Sequence, residues 1–468
     1  TKAESIAWNE DQKGIYTATY TALLPGTGLK AQLQMSGWAN ALTSNDYSIS
    51  GDAASAQIVA MQVTTGNPDV LANGSDRHTV NVRVEDQFGN VLPEQTVTFT
   101  VTKGAAVFAN AGQSADIRTD AHGMAEVDLS STVADASTVE AKINQSSDSK
   151  TVNFIADVST AQVAELVVTQ DGSVADGATA NGRRARGTDV FGNVLAGQTV
   201  SVLADNGATV APTVITEPDG TVEISVTSQT AGTSAITASI NNSSLSRNVT
   251  FVADVRTAKI ADLVVTRDNS VADGAMANTL RVRVTDAFGN TLNGQTVSVL
   301  ADNGATTAPT VTTQPDGTVE ISVTSQTAGV SAVTATINSS TQSQNVTFIA
   351  DVRTAKIADL VVIKDGSEAD GSTANTLRAR VTDAFGNALG GQTVSVLADN
   401  GATVAPTVTT QPDGTVEISV TSQTAGTSTV TASINNSSLS QNVTFVADVS
   451  TAKIADLVVI KDGSEADG

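Results

Sequence analysis

The sequence predicts an all-β protein, a tandem array of immunoglobulin-like β-sandwich domains forming an extended rod. The first observation is composition, since Thr, Val, Ser, Ala, Asn and Gly dominate and aromatic residues make up only 3%. Thr and Val favour strands, whereas Gly and Asn favour tight turns. The second observation is the alternation of apolar and polar residues along short segments. The third is a repeat of domain size.

Phrases that return every 97 residues define this repeat. The phrase Phe-(Ile/Val)-Ala-Asp-Val begins at Phe154, Phe251, Phe348 and Phe445. The phrase Asp-x-Phe-Gly-Asn, called DxFGN below, occupies 86–90, 189–193, 286–290 and 383–387, with a spacing of 103 residues between the first two copies and 97 between the others. The last three copies are near-identical units, and the first unit is longer and divergent. A period of about 100 residues is too long for a solenoid and matches a domain with its own core.

Seven segments of the unit 256–352 are predicted to be strands. The first, IADLVV, is a mainly apolar strand, and the second alternates, with Leu280, Val282 and Val284 on one face. The turn DAFGN, a loop at NGATTAP and a PDG hairpin turn separate the later segments, most of which alternate again. Because each alternating strand has one buried face, two sheets must pack face to face. In order, the segments are 260–265, 279–286, 295–302, 311–314, 318–325, 331–338 and 345–351.

The DxFGN phrase has two interpretations, a ligand-binding loop presented repeatedly or a turn that every domain must make. It lies between two alternating strands, where Gly and Asn tolerate positive φ and Asp can bond its own backbone. These properties favour the turn. Its Phe is the only aromatic residue in the middle of each repeat, and we expect it to plug one end of the core.

The same phrases place the domain boundaries. The aromatic-rich start parallels the second half of a unit, and the last residues match the first strand of a unit. The start also lacks the features of a signal peptide. We therefore expect this sequence to be an internal piece of a longer protein. The predicted order is a partial divergent domain at 1–52, a divergent domain at 53–158, repeats at 159–255, 256–352 and 353–449, and the start of a further repeat at 450–468.

The linkers between repeats are short. In FIADVRTAKIADLVV only about five residues separate the last strand of one unit from the first strand of the next. A linker of that length cannot behave as a flexible coil. We expect neighbouring domains to touch, with roughly 35–45 Å per domain and about 150 Å for four domains at about 3.3 Å per strand residue.

Charge and missing residue types exclude several functions. The 25 Lys and Arg stand against 48 Asp and Glu, and the net charge of −23 is repelled by nucleic acid and anionic lipid. There is no cysteine, so an exported form must rely on apolar cores. His78 and His122 lack zinc-ligand spacing, and serine-hydrolase and phosphate-loop motifs are absent. We expect no enzyme activity, no catalytic residues and no cofactor site.

These phrases resemble the bacterial immunoglobulin-like (Big-1) repeats of the intimin/invasin family, the inverse autotransporters. The resemblance rests on DxFGN after an alternating strand, GQTV opening the next, DGTVEISV, and F-x-A-D at the unit end, and it covers at least residues 52–468. It implies a bacterial cell-surface passenger anchored through an outer-membrane barrel, with a tip that binds a host receptor or glycan. Neither barrel nor tip occurs in this sequence. The resemblance therefore implies a stalk whose direct partners are its own neighbouring domains.

Calcium is the one alternative cofactor. Acidic residues gather near each junction, and Ca²⁺ binds six to eight oxygen ligands. The candidate ligands are Asp254, Asp273, Asp351 and Asp370. Against calcium, no EF-hand or DxDxD pattern occurs, and Asp273 and Asp370 lie in ADG turns that need no metal.

The stretch 181–188 breaks the repeat. NGRRARGT replaces NTLRVRVT, so Arg183 and Gly187 fall where Leu280 and Val284 are expected to be buried. Either the register slips or this unit is weaker, because a buried unpaired Arg and a void both cost stability. We predict that the domain 159–255 unfolds first. The alternative is a basic binding patch of Arg183, Arg184 and Arg186.

Two functions stay open. A rigid spacer holding an adhesive tip away from an outer membrane fits near-identical copies, because a spacer needs length while a binding site needs one particular surface. Alternatively, the domains themselves bind a host ligand or copies of themselves, since repeated surfaces give avidity and exposed strand edges can pair. We favour the spacer.

Overall fold

The chain folds into β-strands joined by turns. The computed structural model describes residues 6–460 and 463, and it forms two compact units that divide between Val252 and Ala253. Parts of both predicted terminal segments, residues 1–5, 461, 462 and 464–468, lie outside the described residues. Within the described part the helices are all short 3₁₀ turns, and no helix there is long and apolar enough to cross a membrane. The 3₁₀ helices span Ala53–Ser55, Val158–Thr160, Val255–Thr257, Val352–Thr354 and Val449–Thr451.

The N-terminal segment contains small two-stranded sheets. Its strands are β1 Trp8–Gln12, β2 Ile15–Ala18, β3 Gly26–Leu29, β4 Gln32–Leu33, β5 Leu42–Thr43 and β6 Tyr47–Ile49. Strand β1 pairs with β2, β3 with β6, and β4 with β5, all antiparallel. The side chains of Trp8 and Tyr16 are half exposed or more.

The divergent domain 53–158 is a two-sheet sandwich. Its strands are β7 Gln57–Val63, β8 Val70–Leu71, β9 His78–Glu85, β10 Thr96–Lys103, β11 Val107–Phe108, β12 Ser114–Arg118, β13 Met124–Ser130, β14 Ala136–Ile143 and β15 Ser146–Ile155. One sheet has the order β11-β13-β9-β7 and the other β12-β10-β14-β15-β8. The core between them includes Val80, Val97 and Phe154.

The repeat 159–255 has the same architecture. Its strands are β16 Gln162–Gln170, β17 Ser173–Val174, β18 Asn181–Thr188, β19 Thr199–Ala204, β20 Thr209–Val210, β21 Thr213–Ile215, β22 Thr221–Thr227, β23 Gly232–Ile240 and β24 Ser243–Val252. The four-stranded sheet has the order β16-β18-β22-β20, and the five-stranded sheet has the order β17-β24-β23-β19-β21. Only the short β17 pairs in parallel, with β24.

The repeats 256–352 and 353–449 form the second unit. The strands of 256–352 are β25 Lys259–Arg267, β26 Ser270–Val271, β27 Asn278–Thr285, β28 Thr296–Ala301, β29 Thr306–Thr307, β30 Thr310–Thr312, β31 Thr318–Thr324, β32 Gly329–Ile337 and β33 Ser340–Ile349. Those of 353–449 are β34 Lys356–Lys364, β35 Ser367–Glu368, β36 Asn375–Thr382, β37 Thr393–Ala398, β38 Thr403–Val404, β39 Thr407–Thr409, β40 Thr415–Thr421, β41 Gly426–Ile434 and β42 Ser437–Val446. Both repeats have sheet orders equivalent to those of 159–255. The predicted all-β array of immunoglobulin-like repeats is confirmed.

Alternation decides which side chains form each core. On β27, Leu280, Val282 and Val284 are fully buried, whereas Arg281 and Arg283 are exposed. Burying an aliphatic side chain of this size contributes about 1.5–3 kcal/mol. Each of the four full sandwiches has its own cluster of such residues, so the domains are held together without disulfides.

All seven strands predicted for 256–352 are present, with ends shifted by a few residues. The structure adds two strands, Ser270–Val271 and Thr306–Thr307, that the sequence did not predict. Two-residue strands are too short to show an alternating pattern. At the other end of the second unit, residues 452–460 have no regular secondary structure. The equivalent strand β34 is held by β36, and no such partner lies beside 452–460 in the described chain.

Arg183 lies in the core of 159–255 without a change of register. It pairs with Ile224 across the sheet, as Leu280 pairs with Ile321, so the register-slip alternative is wrong. Its side chain is fully buried, and none of its three guanidinium nitrogens has a hydrogen-bond partner. Burial lowers the pKa of Arg183. The cost of burying this charge therefore falls on the stability of the domain.

The three arginines do not form the alternative basic patch. Arg183 points into the core, while Arg184 and Arg186 are exposed on the outer face of the four-stranded sheet. Arg184 lies opposite Glu223 and Arg186 opposite Glu165, so each exposed cation faces an acidic residue on a neighbouring strand. This arrangement is typical of cross-strand charge pairing on a solvated sheet face.

Candidate interdomain joint

A buried carboxylate organises the DxFGN turn. In the last copy Asp383 is fully buried, and its Oδ1 accepts the main-chain N–H groups of Phe385 and Asn387 at 2.9 Å each. Its Oδ2 accepts Nδ2 of Asn387 at 2.8 Å. Asp suits this position because an ionised carboxylate offers several acceptor sites on a short side chain. Gly386 has φ +93°, a conformation that favours glycine.

The same carboxylate holds the linker. Oδ2 of Asp383 also accepts the main-chain N–H of Asp351 at 3.2 Å. Asp351 caps the 3₁₀ helix Val352–Thr354 and pairs with Arg353, with 2.9 Å between Oδ1 and Nε. Thr354 Oγ1 accepts the N–H of Ala384 in the turn at 3.1 Å. The linker is therefore bonded to the turn at two points.

Contacts of this kind lower the pKa values of two carboxylates, Asp351 and Asp86. The hydrogen bond from Arg353 is the main cause that holds the pKa of Asp351 below its ordinary value. Burial would raise the pKa of Asp86, the Asp of the first DxFGN copy, yet hydrogen bonds led by those from Asn90 outweigh it and lower that pKa. Because the folded-state pKa is lowered, the contribution of these bonds to stability is present at neutral pH. It is lost only as pH falls through the lowered pKa.

The Asn that ends the turn reaches back to the preceding domain. Asn387 Oδ1 accepts the N–H of Ala328 at 2.8 Å, and Asn387 Nδ2 donates to the carbonyl of Gln326 at 2.9 Å. Since Nδ2 also bonds Asp383, one side chain connects the buried carboxylate of one domain to a loop of its neighbour. We call this arrangement of turn, linker and loop the interdomain joint.

The first unit contains a second joint of the same kind. Asn193 Oδ1 accepts the N–H of Ala134 at 2.7 Å, and its Nδ2 donates to the carbonyl of Thr132 at 3.0 Å. Asp189 accepts Asn193 Nδ2 at 2.8 Å and the linker N–H of Asp157 at 3.2 Å. The joint between 53–158 and 159–255 therefore matches the joint between 256–352 and 353–449. Its repetition indicates a structural role.

The joint Asn residues were missed by the sequence analysis. Asn387 does not adopt positive φ, so the turn itself does not require an Asn at that position. The sequence did contain a signal for them, because Asn recurs at this position although the turn does not require it. The first copy, Asn90, donates from Nδ2 to the carbonyl of Leu23 in the N-terminal segment at 2.8 Å.

The prediction that the DxFGN Phe plugs the core is wrong. Phe385 is 47% exposed, and its counterparts in the other copies are similar. The hydrogen bonds to Asp383 hold its carboxylate inside the domain. Phe385, two positions later, is therefore left outside the core. The core aromatic is instead Phe445 of the F-x-A-D phrase, which is 2% exposed. Beside the first DxFGN copy, Phe88 lines a small cleft with Leu24 of the N-terminal segment.

The four calcium candidates lie in two kinds of site. Asp254 and Asp351 are buried caps of 3₁₀ helices, each ion-paired to an Arg two residues later. Asp273 and Asp370 are turn residues, the first half-buried and the second exposed, and Oδ1 of Asp370 accepts the N–H groups of Ser372 and Thr373 at 2.7 and 2.6 Å. These bonds, led by that from Thr373, hold the pKa of Asp370 well below its usual range.

The structure brings Asp273 close enough to Asp351 and Arg353 to interact electrostatically. Within the described residues, no group of three or more His, Cys, Asp or Glu side chains is placed to hold a metal ion. The donor set does not fit Ca²⁺, because the cap carboxylates already accept bonds from main-chain N–H and Arg groups. Calcium at these positions remains the alternative to a chain without a cofactor.

A chelator tests calcium binding directly. We expect excess EDTA to leave the melting temperature and hydrodynamic radius unchanged, because these carboxylates already have protein hydrogen-bond donors. The measurement is differential scanning calorimetry with dynamic light scattering, with added Ca²⁺ as the reverse control. A fall in melting temperature that Ca²⁺ restores would establish the calcium site.

The two histidines do not form a metal site. His78 is buried, and its Nε2 lies 2.8 Å from the carbonyl of Asn153, which accepts the bond. In the repeat 256–352 the equivalent Asn278 donates from Nδ2 to the carbonyl of Thr347 at 2.9 Å. His78 therefore takes over a structural hydrogen bond. His122 lies in a turn at the opposite end of the β9–β13 pair.

Known proteins share these repeats. Residues 60–155, 163–252, 260–349 and 357–446 each match the family described as bacterial Ig-like domain (group 1). Inverse autotransporter adhesin YeeJ of Escherichia coli (strain K12) is 31% identical over 486 residues, which cover 97% of this chain and 20% of that protein. The chain thus spans about a fifth of the relative's length.

Two solved structures are similar at lower identity. A crystal structure of invasin, described as a bacterial integrin-binding protein, is 21% identical, covers 83% of this chain and 79% of that chain, and has a TM-score of 0.39. FdeC, described as an Escherichia coli adhesin, is 19% identical, covers 63% of this chain and all of that chain, and has a TM-score of 0.41.

The family assignment rests on the sequence matches. They confirm the resemblance to inverse autotransporter passengers made of Big-1 repeats. Adhesins built from such repeats are a non-enzymatic family, so the prediction that the chain is not an enzyme is confirmed. With four matched segments that cover most of its length, this chain belongs to the bacterial Ig-like domain (group 1) family.

Proposed function

We propose that this chain is a rigid spacer in the stalk of an adhesin on a bacterial cell surface. The observation that carries the proposal is the interdomain joint, in which a buried Asp binds the linker and an Asn binds the preceding domain. A linker held at both ends cannot swing as a free coil does. When the joints are stiff, each added domain lengthens the stalk.

The repeats themselves support a spacer over a binding module. Near-identical copies add length to a stalk. The joints use equivalent residues in both compact units. The similarity to an inverse autotransporter adhesin is consistent with this role. In this proposal, the outer-membrane anchor and the tip that contacts a host receptor or glycan belong to other parts of the longer protein.

Removing the joint Asn side chains tests the spacer. We expect the double variant Asn193→Ala and Asn387→Ala to scatter X-rays as a more flexible chain with a smaller maximum dimension. Each substitution removes two interdomain hydrogen bonds, worth about 1 kcal/mol apiece, without opening a core. Each substitution also removes the Asn bond to the buried Asp of its own domain, but that Asp keeps its main-chain donors. The melting temperatures should therefore fall only slightly while the joints loosen.

A matched control separates the joint from a general effect of Asn loss. Asn248 and Asn442 are exposed strand residues whose side chains make no hydrogen bond within the described chain. Asn248→Ala and Asn442→Ala should leave the scattering profile unchanged. If the unaltered chain already scatters as a flexible necklace or a compact globule, the spacer proposal fails. If the joint variant keeps the stiff profile of the unaltered chain, the Asn residues do not stiffen the joint.

A further inference from the structure

One face of each near-identical repeat consists of uncharged side chains. In 256–352 this is the outer face of the five-stranded sheet, since Val299, Val333 and Val346 on its strands are buried on the opposite face. Ser and Thr hydroxyls dominate the centre of the outer face. The repeats 159–255 and 353–449 present the same pattern. We call this surface the hydroxyl face.

The hydroxyl groups bond each other across strands. Thr334 Oγ1 donates to Ser343 Oγ at 3.1 Å, and the hydroxyls of Thr336 and Thr341 lie 3.2 Å apart. Hydroxyls that are already paired present methyl groups and weakly polar oxygens to the outside. Such a surface loses less free energy on leaving water than a charged one does.

A large aliphatic side chain stands on this face. Leu300 lies directly opposite Thr334 and is 72% exposed, and its counterparts Leu203 and Leu397 are 71% exposed. The fold does not require these leucines, because nothing in their own domain buries them. Each of the three repeats therefore offers one large apolar side chain to a partner on this face.

The divergent domain shows that the fold tolerates charge here. At the equivalent positions of 53–158, Thr100 replaces Leu300, Glu140 replaces Thr334 and Lys142 replaces Thr336. The four-stranded sheets also carry charge on their outer faces, where Arg281 lies opposite Glu320. The uncharged outer face is therefore a property of the three repeats and not of the sandwich.

We propose that hydroxyl faces of separate copies of this chain bind each other. The chain has a net charge of −23, so two copies repel wherever their acidic surfaces meet. The hydroxyl face avoids that repulsion, and the nearby carboxylate of Asp302 at its border already accepts the N–H of Ala332 at 2.7 Å. A second copy carries the same uncharged face with the same exposed leucine. Each chain carries three such faces, so one chain offers three weak contacts.

One glutamate per repeat tests the proposal. The variant Thr237→Glu, Thr334→Glu and Thr431→Glu copies the Glu140 of the divergent domain onto each hydroxyl face. The full chain should associate reversibly in sedimentation velocity, and chain-coated beads should cluster. Opposing carboxylates at the contact should raise the concentration needed for association by about tenfold or more. Leu203→Thr, Leu300→Thr and Leu397→Thr should weaken it in the same direction.

The matched control places the same charges on the other sheet. Ser225, Ser322 and Ser419 are exposed on the outer faces of the four-stranded sheets. Changing these three to Glu should leave association unchanged. Raising the salt concentration should not weaken association either, because no charge pair makes the contact.

Several outcomes would overturn the proposal. The first is that the chain stays monomeric and the beads stay dispersed at every concentration. The second is that both glutamate variants lose association equally. The third is that added salt abolishes association. A chain that remains monomeric but binds a glycan through the hydroxyl face would assign the face to another partner. The spacer role is independent of these results, since scattering from the monomer at low concentration measures it separately.

Discussion

Replacing Arg183 with leucine will raise the free energy of unfolding of the domain 159–255 by about 3 kcal/mol, which for a domain of about 100 residues corresponds to roughly 10 °C or more in melting temperature. The reason is that Arg183 is fully buried and its guanidinium nitrogens have no hydrogen-bond partner. Leucine restores the side chain that the equivalent position 280 carries. The substitution removes a buried charge and adds apolar packing at once.

Calorimetry and hydrogen exchange measure this effect in the full chain. In the unaltered chain, peptides from 159–255 should exchange before those of the other three full sandwiches, and in the variant their protection should approach that of 256–352. Arg184→Leu is the matched control, because Arg184 is exposed opposite Glu223 and its loss removes no buried charge. The converse change, Leu280→Arg, should weaken 256–352 in the same way. Finding 159–255 the most protected domain of the unaltered chain would contradict the explanation.

The sequence predicted the strands and the position of Arg183 because both depend on local alternation. In a strand, every second residue faces the same layer, so a repeat with one known register assigns inward and outward positions to its copies. Arg183 falls on an inward position by this count, and the structure places it there. Counting alternate residues could not decide whether the strand register would shift and expose the charge of Arg183. The neighbouring core residues hold the register instead.

The joint could not be predicted in the same way. Asn387 contacts Gln326 and Ala328, which belong to another domain and lie about 60 residues earlier in the chain. A pattern confined to one domain contains no information about which loop of the neighbour comes near. The same limit explains the error for Phe385, since the only aromatic residue in a segment is assigned to a core by default. Its exposure follows from the hydrogen bonds of Asp383.

Asp383→Ala will destabilise the domain 353–449 by about 3 kcal/mol or more, because it leaves several main-chain N–H groups without their charged acceptor. Asp383 is fully buried and accepts bonds from Phe385, Asn387 and the linker residue Asp351. Water cannot replace the carboxylate at a buried position at no cost. The same substitution also frees the linker, so both the melting temperature and the stiffness of the chain should fall.

The combined loss of melting temperature and stiffness distinguishes Asp383 from Asn387 and Asp413. Asn387→Ala should loosen the joint and leave the melting temperature of 353–449 nearly unchanged. Asp413→Ala should change neither property by a comparable amount, because Asp413 is an exposed turn residue that accepts bonds only from Thr415. Calorimetry and small-angle scattering on the three variants separate folding from joint stiffness. If Asp383→Ala melts like the unaltered chain, the buried carboxylate is not what holds the turn and linker together, and the stiffness of the joint must have another origin.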